Sequence, residues 1–264
     1  MKELPGIGSE KLGSHGSPEY PSRYAQYTIL ESVIADIVND WTSSRGLAED
    51  ARQVFLERLI SFHDKYLQPA NPSPPFDPFC LHVLWHSAVL TLFVDFDRLE
   101  VAVGRDGLNE SLAHFAYIHK WASSQDGQRC ALHGVFILRY LQEMTFKAEP
   151  AIHVPRALYQ ATMVWYAYLY FGVDSQDSLT EIPELACLNI NCRALLFETY
   201  GFKFFRPHLM RANIVSDLLD LLHRIGHWGI SRRFADQIVR LMQSNPHLNA
   251  VTNLETGSRS LLRR

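Results

Sequence analysis

The segment LWHSAVLTLFVDFDRLEVAVGRDG, residues 84–107, decides the fold because it is one of the most apolar parts of the chain. Its apolar residues fall on nearly every side of a helix, so the pattern predicts a helix over 79–103 that is buried inside a bundle. Gly104 follows at the position past a helix end, where a positive φ is common. The segment therefore predicts an all-α protein built around one long internal helix.

The same helical periodicity continues along most of the chain and predicts an irregular bundle of about nine helices. Pro155 and Pro207 suit the first turn of a helix, where a missing amide hydrogen costs no bond. The sequence has no sustained alternation of the strand type, so we expect an all-α fold. The other predicted helices, bounded by glycines and prolines, cover residues 24–41, 47–66, 108–121, 128–146, 155–171, 184–199, 207–224 and 231–242.

The composition changes towards both ends of the chain and sets the domain boundaries. Residues 1–22 contain four glycines, three prolines and four serines with few large apolar groups, which predicts a flexible N-terminal segment. Residues 23–243 form the predicted helical domain, and the polar stretch 244–264 is predicted to be a flexible tail. Inside the domain, the five prolines of residues 67–78 predict a stiff connector.

Net charge and cysteine content argue against several classes of function. The formal net charge of -3 offers no basic surplus for a nucleic-acid-binding face. The four cysteines form no Cys-x-x-Cys pair, so a reducing compartment is expected. No stretch approaches the length of about 20 uncharged apolar residues that a membrane span requires. We expect a soluble intracellular protein.

Asp95, Asp97 and Glu100, which precede the Gly-Arg-Asp-Gly loop (104–107), raise the question of a metal or diphosphate site. On one continuous helix, Asp95 and Asp97 would lie about 160° apart, while Asp97 and Glu100 would lie about 60° apart. The three groups would then share no point for a divalent ion, and Arg98 and Arg105 offer them ion pairs. We therefore predict charge pairing and capping here, and no metal site.

Histidines and cysteines provide the other candidates for metal binding or catalysis. His82 and His86 have the i, i+4 spacing of two zinc ligands, but Val83 stands where a metalloprotease motif has glutamate. We predict core or helix-end histidines. Cys130 and His133 are i, i+3 neighbours for which the sequence offers no third orienting group nearby.

Cys187 and Cys192 lack the partners of a zinc site and are predicted to be small apolar side chains in a helix. The sequence contains neither a Gly-x-Ser-x-Gly motif nor a Gly-rich phosphate loop between a strand and a helix. No catalytic, cofactor-binding or metal-ligating residue is therefore predicted. An aromatic run permits two interpretations, a core helix or the wall of an apolar ligand cavity. Its residues are Tyr159, Trp165, Tyr166, Tyr168, Tyr170 and Phe171.

Four phrases of the sequence occur in the order found in one family, and together they cover roughly residues 79–243. They are LWHSAVLTLFVDFDRLEVAVGRDG (84–107), WASSQDGQRCALHGVFIL (121–138), IHVPRALYQATMVWYAYLYFG (152–172) and DLLHRIGHWGISRRFA (220–235). In this combination the chain resembles the fungal-specific transcription factor domain, the all-helical regulatory region of many fungal zinc-finger and zinc-cluster activators. The resemblance is to the Cys2His2-type members.

The resemblance implies a protein of the nucleus that regulates transcription and is not an enzyme. Its helical domain would act through protein partners of the transcription machinery or through a DNA-binding partner. A small-molecule effector and a second copy of the chain are further expected ligands, and no membrane contact is expected. Typical members carry a zinc-binding DNA-recognition module ahead of this region, whereas here 78 residues precede it with no cysteine before Cys80. Direct sequence-specific DNA binding is therefore not expected.

Two alternatives stay open. One is an enzyme on the same helical scaffold, such as a cyclase-like enzyme of secondary metabolism, with an apolar cavity at residues 159–171 and the pair Asp97 and Glu100. A second acidic cluster would favour it, but NDWTSS (39–44) lacks the later acidic residue of a magnesium motif. The other is a dimerising module that exposes GHWGISRRFADQI (226–238), with Trp228 as an anchor.

Overall fold

The computed structural model describes residues 21–43, 46–68, 77–144, 150–172, 182–186, 195, 207–225 and 229–244. These residues form helices and their connections, with no strand among them, which confirms the all-α bundle. The ten helices of the described ranges are α1 (Arg23–Ser43), α2 (Glu49–Tyr66), α3 (Leu81–Phe93), α4 (Phe96–Ala102), α5 (Leu108–Ala122), α6 (Gln125–Glu143), α7 (Val154–Phe171), α8 (Pro183–Ala186), α9 (Pro207–Arg224) and α10 (Gly229–Ser244).

The prediction of a single helix over 79–103 is wrong, because the chain forms two helices there, α3 and α4. Val94 and Asp95 are extended between the two helices. The Asp95 carboxylate accepts a hydrogen bond from the backbone N–H of Arg98 at 3.1 Å and so caps the start of α4. Asp95 and Asp97 therefore do not lie on one continuous helix. The angle of about 160° predicted between them assumed such a helix and does not apply.

Two tryptophans hold the end of α3. The last carbonyls of a helix lack partners within the helix and need donors from elsewhere. The Trp41 indole N–H of α1 donates to the Thr91 carbonyl at 2.9 Å, and the Trp121 indole N–H of α5 donates to the Phe93 carbonyl at 3.0 Å. The break between α3 and α4 is thus stabilised from both neighbouring helices.

Helices α3, α6 and α7 form the centre of the bundle. Helix α6 packs against both α3 and α7, α9 and α10 cover the other side of α7, and α1 and α2 pack on α3. Gly134 of α6 permits the close contact with α7, since a Cβ at this position would lie 2.8 Å from the Trp165 ring. Trp85, Trp165 and Tyr166 are the largest fully buried side chains.

Several local predictions are confirmed. Pro155 lies in the first turn of α7, Pro207 is the first residue of α9, and Gly104 has a φ of 111°. Residues 1–20 and 245–264, most of the proline-rich connector and most of the predicted helix 184–199 lie outside the described residues. No helix in the described part of the chain is long and apolar enough to cross a membrane.

Candidate functional site

The carboxylates of the segment 84–107 lie at a surface corner where α4 leads into α5. Arg105 Nη1 is 2.9 Å from Asp97 Oδ1 and 3.0 Å from Glu100 Oε2, and Arg105 Nε is 3.1 Å from Asp106 Oδ1. We call Asp97, Glu100, Arg105 and Asp106 the acidic corner. Asp95 is not part of it, because its side chain caps the start of α4. Arg105 pairs with the other three carboxylates.

Charge pairing within the acidic corner sets its protonation. Hydrogen bonding to Asp106, and further to Glu100 and Asp97, raises the pKa of Arg105. Arg105 in turn lowers the pKa of Asp106. Burial and the neighbouring Glu100 carboxylate raise the pKa of Tyr159 on α7. Arg105 and Asp106 are therefore a charged pair, and Glu100 is the contact of the acidic corner to α7.

A second set of polar groups lies in the centre of the bundle. His86 of α3 and His133 of α6 approach each other with their Nδ1 atoms 2.8 Å apart. Glu184 Oε1 of α8 is 3.6 Å from His133 Nε2 and 2.8 Å from Arg129 Nε. His86, His133 and Glu184 have 0% of their surface exposed. We call His86, Arg129, His133 and Glu184 the buried polar cluster.

Arginines and carboxylates balance in and around this cluster. Arg129 Nη1 lies 3.6 Å from Asp126 Oδ1, and Asp126 Oδ2 lies 3.0 Å from Arg52 Nη1 of α2. Two arginines therefore face two buried or partly buried carboxylates, Asp126 and Glu184, and Arg52 also lies 3.5 Å from the exposed Glu49. A charge on either histidine would be uncompensated in a medium of low dielectric, where an unpaired charge is strongly unfavourable.

The pKa directions follow from this arrangement. Burial, and then the neighbouring His133, hold the pKa of His86 well below its usual value. Burial also lowers the pKa of His133, although contact with Glu184 offsets part of the effect. Burial raises the pKa of Glu184, but His133 and Arg129 outweigh it, so the net pKa is lowered. At neutral pH both histidines are neutral and Glu184 is ionised.

The geometry assigns one tautomer to each histidine. A hydrogen bond between two Nδ1 atoms needs one proton between them. Glu184 faces Nε2 of His133, which favours the proton on that nitrogen and leaves Nδ1 of His133 as the acceptor. His86 then donates its Nδ1–H to His133, which directs its Nε2–H at Glu184. The three groups form a carboxylate–imidazole–imidazole chain with a single direction.

Aromatic rings stack on His82 and His86, the two histidines with the i, i+4 spacing of zinc ligands. His86 stacks on Phe136 with ring centroids 4.9 Å apart and an interplanar angle of 9°. His82 stacks on Tyr140 at 4.7 Å, and burial lowers its pKa to about 4. Among the described residues, no group of three or more His, Cys, Asp or Glu side chains is arranged to hold a metal ion. The two histidines serve different contacts in the core.

The sequence near Cys130 and His133 offered no third group that would orient the imidazole. This interpretation is wrong, because the fold brings such groups to His133. His86 and Glu184, which other helices supply, orient His133 on both sides. Cys130 is fully buried, and burial raises its pKa well above the usual value, so its thiol stays protonated. The imidazole is oriented as a catalytic base would be, but the thiol beside it is not activated.

Sequence reasoning missed Arg129 and Glu184. The available sign was Glu184, a charged residue inside the apolar stretch IPELACL (182–188). A charge in such a position needs a buried partner. Arg129 follows the polar run SSQDGQ (123–128) and gave no such sign, so the sequence did not indicate which residue that partner is.

The aromatic run of α7 fills the core. Tyr159, Trp165, Tyr166 and Phe171 are at most 6% exposed. Tyr159 stacks on Phe234 of α10 with centroids 4.5 Å apart. These contacts favour the core-helix interpretation of the run. Cys187, Cys192 and Trp228 lie outside the described residues.

Comparison of the chain with family models, curated proteins and solved structures gives no match. The interpretation of the buried polar cluster therefore depends on its own geometry.

Proposed function

We propose that the chain is a helical regulatory domain of the fungal-specific transcription factor type, which acts in the nucleus through protein partners. The four phrases that carry the resemblance supply most of α3, α4, α6 and α7 and the junction of α9 with α10. Of these, α3, α6 and α7 pack on one another in the centre of the bundle. Proteins that share a regulatory fold are expected to share the residues that pack its central helices.

The enclosure of the buried polar cluster is the observation that carries the proposal. Its carboxylate, Glu184, and its two imidazoles are 0% exposed and pair with each other and with Arg129. Groups in such positions hold helices together, because they contact protein instead of solvent. Function is then expected at the outer surfaces of the bundle, as in a domain that binds other proteins.

A reporter assay tests the regulatory role. The full chain is fused to an unrelated DNA-binding domain, and transcription from a promoter with its site is measured in a fungal nucleus. We expect a change in either direction relative to the DNA-binding domain alone. Arg105→Met, at the surface, should keep the effect, and Arg129→Met, in the core, should lose it. A stable fusion with no effect on transcription would count against the proposal.

DNA binding by the chain alone gives a second test. Selection of binding sites from a pool of random duplexes, followed by gel shift, should give no sequence-specific complex with the unfused protein. A tight complex that a mutated site abolishes would show that the domain recognises DNA itself.

The directed chain from His86 to Glu184 is the observation that favours the enzymatic alternative. Its order matches a carboxylate–imidazole relay, in which the last imidazole acts as a base. Such a base has to reach a substrate, so solvent access distinguishes the two functions. Deuterium exchange at the imidazole C2 positions should be far slower for His86 and His133 than for the exposed His223. Fast exchange at His86 in the folded protein would support an enzyme.

A further inference from the structure

Helix α5 carries apolar residues that the described part of the chain buries and others that it leaves exposed. Ile118, Trp121 and Ala122 are buried on the inner side, where α5 packs on α6 and α7. Leu108 and Leu112, in the first two turns, are 59% and 58% exposed.

The exposed apolar residues follow the spacing of a helix-packing stripe. Leu108, Leu112 and Ala116 are successive i, i+4 positions, and Ala113 is exposed beside them. We call Leu108, Leu112, Ala113 and Ala116 the α5 outer face. Leucines flanked by alanines let a second helix approach to an axial distance of about 8–10 Å. No helix in the described ranges covers this face.

The two ends of the α5 outer face carry opposite charge. Next to its N-terminal end lies the acidic corner, where three carboxylates share Arg105, and Glu110 adds a further exposed carboxylate. Lys120 is exposed at the other end, about 18 Å along the axis from Leu108. The partner that fits is a helix with leucines on its surface that runs the opposite way and brings a cation to the acidic corner.

A second copy of α5 meets all of these requirements. We propose that the chain self-associates through the α5 outer face, as two antiparallel α5 helices related by a twofold axis. Each Lys120 then faces the acidic corner of the other copy, so every favourable charge contact occurs twice. One pair of short helices makes an interface of the small, transient class, which forms at high concentration. Such self-association goes beyond the regulatory role and does not depend on it.

Sedimentation equilibrium over a wide concentration range measures the association. We expect a monomer–dimer equilibrium for the native chain and a Kd raised by about tenfold or more in Leu112→Arg, since a charge then enters the apolar stripe. Val54→Arg is the matched control, because Val54 on α2 is also an exposed aliphatic residue, at 57%. It should leave the Kd unchanged, and circular dichroism checks that both variants are folded.

Charge reversal tests the antiparallel arrangement. Lys120→Glu should weaken the dimer, because the new carboxylate then faces the acidic corner of the other copy, whereas Lys120→Arg keeps the cation and should keep the native Kd. A native chain that is monomeric at all concentrations overturns the proposal, as does a dimer that Leu112→Arg leaves intact. A dimer that Lys120→Glu leaves unchanged overturns the antiparallel pairing.

Discussion

The acidic corner and the buried polar cluster are built from similar groups in opposite surroundings. Arg105 lies 2.9 Å from Asp97 at the corner, and Arg129 lies 2.8 Å from Glu184 in the cluster. At the corner the Asp97 side chain is 80% exposed, whereas the Glu184 side chain is 0% exposed. Water and salt screen the surface attraction, while a buried charge that loses its partner has nothing to replace it. Position in the fold therefore decides what each pair contributes.

The largest difference in stability between the two regions is expected when the arginine of each is replaced by methionine. Arg129→Met leaves Glu184 buried without its cation and should lower the free energy of unfolding by about 3–5 kcal/mol. Arg105→Met removes the matched group from the corner and should cost about 1 kcal/mol or less, since exposed ion pairs are weak. Urea unfolding of both variants measures the contrast. Equal losses in the two variants would contradict it.

Lowering the pH should destabilise the interior through its neutral histidines. The folded pKa of His82 is about 4 against an ordinary value of 6.5, and the pKa values of His86 and His133 are also lowered. The unfolded chain therefore binds more protons below pH 6.5, so the stability present above that pH is lost as the pH falls towards 4. Between pH 7 and 5.5 we expect a loss of about 1 kcal/mol for each such histidine.

Urea unfolding at several pH values measures this dependence. His82→Gln removes one titrating group and should reduce the loss by its share. The control is Val54→Gln at an exposed position of α2, which removes no titrating group and should leave the pH dependence in place. A stability that is constant from pH 7 to 5.5 would mean that these histidines bind protons equally in the folded and unfolded chain, which contradicts the lowered pKa values.

A methyl group added beside the buried polar cluster should also be costly. In Gly134→Ala the new Cβ would lie 2.8 Å from the Trp165 ring, so α6 and α7 must move apart. We expect a loss of about 1–3 kcal/mol and a lower Tm. Gly229→Ala at the start of α10 is the control, because no atom lies within 4 Å of its added Cβ. Its effect should stay within about 0.5 kcal/mol.

The smallest effect is expected where the acidic segment caps α4. Asp95→Ala removes the hydrogen bond to the Arg98 amide and should cost about 1 kcal/mol. Asp95→Ser keeps an acceptor and should retain most of the stability. Thermal unfolding followed by circular dichroism measures both variants. A loss in the serine variant as large as in the alanine variant would show that the cap is not the reason for Asp95.

Local signals in the sequence predicted the local features of the fold. Pro155 and Pro207 fix helix starts through their own ring, and Gly104 ends α4 through its own backbone, so these positions required no knowledge of the rest of the molecule. The break after Phe93 was missed because apolar residues at helical spacing continue across it, from Leu92 to Leu99 and Val103. As a result, Asp95 was interpreted as a carboxylate in the middle of a helix, although it caps the start of α4.

The buried polar cluster could not be predicted because its members come from separate helices. His86 and His133 are 47 residues apart, and helical periodicity carries no information on which helices become neighbours. His82 and His86 drew attention through their spacing, yet the partner of His86 lies on α6. Tertiary packing, which a single sequence does not state, brings the two imidazoles together.

The tryptophans that hold α3 give the chain an internal optical probe. Trp41 and Trp121 donate to the backbone of the last turn of α3 from opposite neighbours, α1 and α5. Opening the junction between α3 and α4 has to break at least one of these hydrogen bonds and bring an indole into water. Indole emission shifts to longer wavelength in water, so fluorescence reports this junction without an added label. Trp121 lies on the inner side of α5, so its emission follows the junction and not the α5 outer face.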